Sequence, residues 1–392
     1  MNAHDRRLLP AGIIEVLPQE AAQLEKLRRQ LLDLYTSWGY ELVIPPLVEY
    51  LETLLAGTGT TLDLQTFKLI DQLTGRLLGV RADMTPQVAR IDAHHLKRDV
   101  PTRLCYLATV LHTRPNHFAG SRSPLQAGAE LYGYAGIAGD AEILSLMLVT
   151  LQTTGLTDFH VDVGHVGIYQ SLVQAAHLQQ AQENQLLDAI KRKASAEIHT
   201  LLTDWQVPGR LRQMISDLVH LYGDYEILAQ ATQVLAKAPA AVHAALADLQ
   251  GLYEQLPEVT LHFDLAELRG YSYHTGIVFA AYVAGQGQAI AKGGRYDNLS
   301  QLFGRERPAT GFSTNLRMLV SLLPAPPPTR SPNAAIFAPA QADTALLATI
   351  AKLRQQGHIV IRELPNQVGD AQALGCDREL RLQDGTWQIV AL

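Results

Sequence analysis

Several short stretches of the sequence combine residue types able to hold a small polar ligand. In Leu125-Gln-Ala-Gly-Ala-Glu-Leu-Tyr132, strand alternation puts Gln126, Gly128 and Glu130 on one face and Ala127, Ala129 and Leu131 on the other. The amide and the carboxylate then stand about 13 Å apart along the backbone, at ~3.3 Å per residue, with Gly128 leaving space between them. That is too far to share a proton and suits opposite ends of one ligand; a solvated sheet face fits the same pattern. In Val80-Arg-Ala-Asp-Met-Thr-Pro-Gln87, Thr85-Pro86 has the chemistry of a helix N-cap and first residue. Asp83, just ahead of it, offers a carboxylate to an ammonium, or else a local capping partner. In Leu268-Arg-Gly-Tyr-Ser-Tyr-His-Thr-Gly276, Arg269-Gly270 reads as a tight turn between two strands. Its guanidinium is aimed at a carboxylate or phosphate, or simply at water. Gly293-Gly-Arg-Tyr-Asp297 reads as a further Gly-rich turn, bringing backbone close to a ligand.

Other chemistries lack their residues. Gly57-Thr-Gly59 has no Gly-Lys-Ser/Thr ending of a phosphate loop, and no Gly-x-Ser-x-Gly elbow occurs. His94-His95, and His160 with Asp162 and His165, do not have zinc-site spacing, and no Cys pair assists them. The reading is no metal and no cofactor.

The elements that would position these residues form a large body and a small tail. Leu24, Leu27, Leu31, Leu34 and Trp38 recur at helical spacing, with Pro18 suited to the first turn and Gly39 to the stop. Strands are predicted at Tyr40–Ile44, Leu77–Arg81, Arg103–Val110, Leu125–Tyr134, Phe159–Val163, Thr260–Ala266, Tyr271–Tyr282 and Gln288–Lys292. Between Tyr169 and roughly Leu256 the pattern is helical and Ala/Leu/Gln-rich with no strand signal. The strands around this insertion are too closely spaced for repeated βαβ crossovers, so the expected fold is α+β, an antiparallel sheet with helices packed on it. Pro324–Pro332 is a stiff Pro-rich spacer. It leaves residues 1–323 as the body and 333–392 as a small α/β unit: strand Ala334–Phe337, helix Thr344–Gln356, strand His358–Arg362 and short strands ending at Trp387–Val390.

Composition sets the outer bounds. The 392 residues are 47% apolar and 18% charged, with a net charge of −6 and no Lys/Arg run, which argues against gripping a phosphate backbone. Two distant cysteines, Cys105 and Cys376, read as reduced thiols. Met1–Leu9 has no signal-peptide core, and no apolar run reaches the roughly 20 residues of a membrane span. The expectation is a cytoplasmic protein bound to neither membrane nor nucleic acid.

Taken in order, the motifs resemble the class II aminoacyl-tRNA synthetase body, specifically that of histidyl-tRNA synthetase, from about Pro10 to Leu323. Gly39-Tyr-Glu-Leu-Val-Ile-Pro-Pro-Leu-Val-Glu49 is similar to the first class II motif, the family's dimer interface. Arg81-Ala-Asp-Met-Thr-Pro86 resembles the R-P-E-x-T stretch, and Gln126–Glu130 the Q-x-G-x-E strand. Arg269–Gly276 resembles R-G-L-D-Y-Y, and Gly293–Asp297 matches G-G-R-Y-D. The resemblance implies a six-stranded antiparallel sheet with helices and a helical insertion. It also implies a histidine site. Asp83, Thr85 and Gln126 would meet the ammonium, Glu130 the imidazole and Arg269 the carboxylate. Tyr273 and His274 would complete it, with His274 where the family has a tyrosine and Ser272 where it has an aspartate.

The departures separate the chain from a working synthetase. Adenylate formation needs preorganised cations against the α-phosphate of ATP. The family's second motif F-R-x-E reads Val110-Leu-His-Thr113 here, with Leu111 at the arginine. The third, G-L-E-R, reads Gly311-Phe-Ser-Thr-Asn-Leu-Arg-Met-Leu319, with Met318 at the arginine and Arg317 one position early. The loss of one such donor typically costs about 10²–10³ in rate, and two are gone. The tail is also short for an anticodon-binding domain. The pattern resembles a paralogous family, the regulatory subunits of short-form ATP phosphoribosyltransferase at the first step of histidine biosynthesis. This implies a non-catalytic chain that self-associates as a dimer within a hetero-oligomer, activates the short catalytic subunit and mediates inhibition by free L-histidine. A divergent amino-acid-activating enzyme and an orphan histidine-binding module are the competing readings.

Overall fold

The computed structural model describes residues 9–56, 59–115, 121–271, 273–323 and 335–392. The Pro-rich spacer Pro324–Pro332, Ala334, Ser272 and Gly57-Thr58 lie outside the described residues. Two compact units divide at Leu323.

In the first unit, the Pro18–Ser37 helix buries Leu24, Leu27, Leu31 and Tyr35, and Gly39 ends it at φ +81°. Leu34 and Trp38 are only partly buried, so the apolar stripe turns toward Tyr35 instead. The Tyr35 ring meets Phe312 edge-on at 6.3 Å, and its hydroxyl receives the Thr150 hydroxyl at 3.4 Å, which lets a polar tip enter the core.

The strands are β1 (Glu41–Leu42), β2 (Val48–Tyr50), β3 (Phe67–Ile70), β4 (Leu77–Val80), β5 (Thr102–Thr109), β6 (Leu125–Tyr132), β7 (His160–His165), β8 (Tyr222–Gly223), β9 (His262–Asp264), β10 (Ile277–Tyr282), β11 (Ala291–Arg295) and β12 (Ala309–Asn315). One sheet runs β1-β5-β6-β12-β11-β10-β7-β9-β8. Its central strands β5-β6-β12-β11-β10-β7 are all antiparallel, the arrangement expected from the sequence. β1 and β9 extend it as parallel neighbours of β5 and β7. A second sheet, β2-β4-β3, was not anticipated. The Ile137–Thr153 helix, buried along most of its length, packs on one face of the large sheet.

Several boundaries differ from the sequence reading. Tyr40–Ile44 yields only the two residues of β1 before Pro45-Pro46. The stretch Tyr271–Tyr282 becomes strand only from Ile277, because Gly270 at φ +62° starts a coiled turn in which Tyr273 and His274 donate to its carbonyl. β11 lies three residues later than Gln288–Lys292, so Gly293–Arg295 is strand rather than turn. The helical insertion runs through helices Val166–Ala175, Gln180–Lys191, Ser195–Asp204, Gly209–Asp217, Glu226–Val234 and Ala240–Gln255. It also contains β8, which pairs with β9 where no strand was foreseen.

The second unit has strands β13 (Ala335–Ala338), β14 (Val360–Arg362), β15 (Cys376–Gln383) and β16 (Thr386–Ala391), in the order β14-β13-β15-β16. The Thr344–Gln355 helix seals Ile336, Ile350, Leu353, Val360 and Leu380 into a small core. Asp384-Gly385, both at positive φ, makes the two-residue hairpin that such a dipeptide favours.

Candidate functional site

A cavity of about 380 Å³ opens on one face of the large sheet. Its floor is set by register. Ala280, Lys292, Ser313, Gly128 and Tyr106 form one cross-strand row through β10, β11, β12, β6 and β5. Val278, Gly294, Gly311 and Glu130 form the row two residues along. Small residues in both rows make the face concave.

Glu130 is 1% exposed on this floor. Its Oε1 accepts from the Tyr106 hydroxyl at 2.9 Å and from the Thr85 hydroxyl at 3.1 Å, and its Oε2 accepts from the Tyr296 hydroxyl. Burial pushes this carboxyl up to about 8, the neighbouring Asp83 charge adds to the rise, and the hydroxyl donors oppose it. A Cβ on Gly311, directly opposite in β12, would stand 1.6 Å from Glu130 Oε2, so only glycine fits there. The space expected over Gly128 is occupied: a Cβ there would meet the Tyr106 hydroxyl at 2.5 Å.

Asp83 Oδ1 accepts from Gln126 Nε2 at 2.8 Å and from the Thr85 N–H at 3.2 Å, while Gln126 Oε1 accepts the Met84 N–H at 3.1 Å. Gln126 therefore latches the loop ahead of the Thr85–Arg90 helix and stands behind Asp83 rather than on the cavity wall. Thr85 is the first residue of that helix, not its cap; its hydroxyl is turned to Glu130 and it is Asp83 that caps. Arg269 is about half exposed at the cavity rim, 3.5 Å from Glu267 Oε1 and 4.6 Å above the Tyr282 ring. Glu267 is itself buried, which raises its pKa against the pull of Arg269. His274 lies between Gly270 and Gly294, where added Cβ atoms would come within 2.4 and 3.0 Å of its ring. Its Nδ1 meets the Arg295 carbonyl at 3.1 Å, and burial pushes it down to about 4, so it is a neutral ring with Nδ1–H donating. The Tyr273 ring lies 4.2 Å from His274 and 5.7 Å from Tyr296.

The fold thus gathers Asp83, Thr85, Glu130, Arg269, Tyr273 and His274 on one cavity wall, with Gln126 one layer behind. Sequence reasoning missed Glu267, Lys191, Lys292 and Ser313 as cavity residues, Tyr106 as a buried donor to Glu130, and Gly311 as Glu130's counterpart. Strand register reveals Tyr106, Lys292, Ser313 and Gly311, and tertiary packing brings in Glu267 and Lys191. Arg295 belongs to the core: it grips Asp140 at 2.8 and 3.0 Å and the carbonyls of Tyr134 and Gly136.

Leu111 and Met318 occupy the second- and third-motif positions at which the synthetase family carries arginine. Leu111 sits there with its N–H on the Arg81 carbonyl, and Thr113 donates to the Leu64 carbonyl. Met318 takes a contact from Gln288 at 3.5 Å, and Arg317 reaches away to the Ser123 hydroxyl at 3.3 Å. Among the described residues no group of three or more His, Cys, Asp or Glu is placed to hold a metal ion. No described helix is long and apolar enough to cross a membrane. Both cysteines are free and buried.

Comparison with known proteins agrees with this geometry. The Histidyl-tRNA synthetase family matches residues 12–319. A Bacillus halodurans structure described as an ATP phosphoribosyltransferase regulatory subunit/histidyl-tRNA synthetase superposes with a TM-score of 0.82, at 28% identity, covering 94% of this chain and 95% of that one. A Nostoc histidyl-tRNA synthetase superposes at 0.78 and 21% identity, covering 98% and 97%. The large unit is therefore a class II, histidyl-tRNA synthetase-like body. Residues 333–390 match the ATP phosphoribosyltransferase subunit HisZ C-terminal domain. An ATP phosphoribosyltransferase regulatory subunit of Thioalkalivibrio sulfidiphilus is 56% identical over the full length of both chains. This chain belongs to the ATP phosphoribosyltransferase regulatory subunit family.

Proposed function

We propose that the chain binds and activates a short-form ATP phosphoribosyltransferase catalytic subunit, on which the reaction of ATP with phosphoribosyl pyrophosphate takes place. In this reading it also carries the feedback signal, with free L-histidine as the ligand of the cavity. The observation that supports it is the lining of a single cavity. Asp83, Thr85, Glu130 and Arg269 all face it, while Leu111 and Met318 stand where the synthetase family carries the cations that adenylate formation requires. An ammonium would meet Asp83, an imidazole Glu130 and a carboxylate Arg269, with Tyr273 and His274 flanking the ring. Gln126 acts by holding Asp83 in place. The chain would pair with a second copy through the Gly39–Glu49 segment, function in the cytoplasm and bind no nucleic acid.

The test is phosphoribosyl-ATP formation by the short catalytic subunit of the same organism, with and without this protein, while histidine is titrated. Activation on mixing, reversed by histidine, is expected. Glu130→Gln and Arg269→Ala should each leave activation in place and weaken histidine inhibition, the arginine change about tenfold or more, the usual scale for a lost charge-assisted hydrogen bond. Absence of both complex and rate change would sink the assignment. Unaltered inhibition in both variants would move the sensor out of this cavity.

A further inference from the structure

The cavity holds more positive charge than an amino acid can use. Its basic side chains are Lys191, Arg269 and Lys292, and its acidic ones are Asp83, Glu130 and Glu267. Glu130 keeps its proton near neutral pH, and Glu267 already faces Arg269. Asp83 is engaged by Gln126 and the Thr85 N–H. Neither Lys191 nor Lys292 forms an ion pair with any described residue, although the chain pairs many of its other cations.

Position argues the same way. Lys292 stands on the sheet floor between Ala280 and Ser313, so its chain rises from the middle of the cavity. Lys191 ends the Gln180–Lys191 helix of the insertion and lines the same cavity from that separate element. A zwitterionic amino acid has one carboxylate, and one guanidinium satisfies it. Two ammoniums and a hydroxyl are left over, in a cavity whose 380 Å³ falls within the range that accepts ligands larger than a single amino acid.

We infer that Lys191 and Lys292, with Ser313, form a subsite for a pyrophosphate-type anion that is filled beside the amino acid. This deepens, and rests on, the sensor reading above. Lysine suits a compact polyanion as a point charge with several donors, and two ammoniums lining one cavity match two linked phosphates. The cations are not at the positions where the synthetase body keeps its adenylate arginines, which are Leu111 and Met318 here. Joining ATP to phosphoribosyl pyrophosphate releases pyrophosphate, so the proposed partner reaction supplies such an anion at the moment it makes product. A subunit filled by histidine and pyrophosphate together would read end product and by-product in one cavity.

The experiment is isothermal titration of the purified full-length chain with pyrophosphate and, separately, with ATP, each with and without saturating histidine. Pyrophosphate should bind in both conditions. Lys292→Gln, and independently Lys191→Gln, should weaken pyrophosphate about tenfold or more while histidine affinity stays unchanged. Both lysine side chains are exposed, so the folded state tolerates the change. No heat with pyrophosphate in a chain that still binds histidine would overturn the subsite, as would pyrophosphate binding indifferent to both substitutions. Binding of ATP without binding of free pyrophosphate would also overturn it. Loss of histidine binding with pyrophosphate retained would instead overturn the sensor reading and leave the anion site standing.

Discussion

Glu130 is a carboxyl surrounded by hydroxyls, and its protonation state couples the cavity to the stability of the body. Folding raises it to about 8 from an ordinary value near 4.5. Between those values the folded chain holds a proton that the unfolded chain has released, so its contribution falls as pH rises. His274 has the opposite sign. Held neutral down to about 4, it removes stability as pH falls from roughly 6.5 toward that value, because the unfolded chain takes up the proton first. The two slopes oppose each other in mild acid, and Glu130 alone acts above it. Glu130→Gln should therefore gain on the parent protein as pH rises from about 6.5 to about 8, by up to a few kcal/mol. Thermal melts of both proteins across that interval check it; a constant difference would remove the raised carboxyl. Gly311→Ala should cost about 3 kcal/mol by overpacking, because its new methyl collides with Glu130. Combined with Glu130→Ala, which clears the colliding atoms, it should cost much less than the sum of the two single changes, a coupling that a double-mutant cycle measures.

At the scale of elements, the Ile137–Thr153 helix is tied to β11 by a buried ion pair, Asp140 with Arg295, in addition to its apolar packing. Asp140→Ala leaves the buried guanidinium with the Tyr134 and Gly136 carbonyls and the more exposed Asp297 carboxylate at 3.2 Å, and should cost about 3 kcal/mol in denaturant unfolding. Sequence patterning found the strands whose alternation is carried by their own side chains, such as β5 and β6. It did not find β12, because Thr310-Gly-Phe-Ser-Thr-Asn315 has no apolar period of its own and becomes a strand by pairing with β6 and β11 on either side. It placed Arg295 at a ligand-facing turn because Gly293-Gly294 looks like punctuation. Both glycines lie in strand, where a Cβ on Gly293 would stand 2.2 Å from the Gly311 carbonyl. The spacing of Asp83, Thr85, Gln126 and Glu130 was readable, but who holds whom was not. That Gln126 serves Asp83 and that Tyr106 fills the gap over Gly128 depend on cross-strand register and loop closure, which one strand's sequence does not encode.

For the whole molecule, each unit closes a core of its own: the body around residues such as Leu31, Val163 and Phe279, and the C-terminal unit around Ile336, Ile350 and Leu380. A chain ending at Leu323 is thus expected to fold and to bind histidine as the full chain does. Calorimetric titration of the truncated protein checks this, and loss of binding with the fold intact would make the C-terminal unit part of the sensor. The floor of the cavity has a further consequence, for how such a sensor can drift over generations. Its depth comes from missing side chains at Gly128, Gly294 and Gly311, and each vacancy is already in use by a neighbour. A replacement there cannot adjust the set point by degrees; it disturbs the body or leaves no protein at all. Arg269, Lys191 and Lys292 have exposed side chains and can change without cost to the core. Under the proposed sensor role, differences in feedback strength between lineages should therefore collect at these exposed cations, while the glycine positions stay silent.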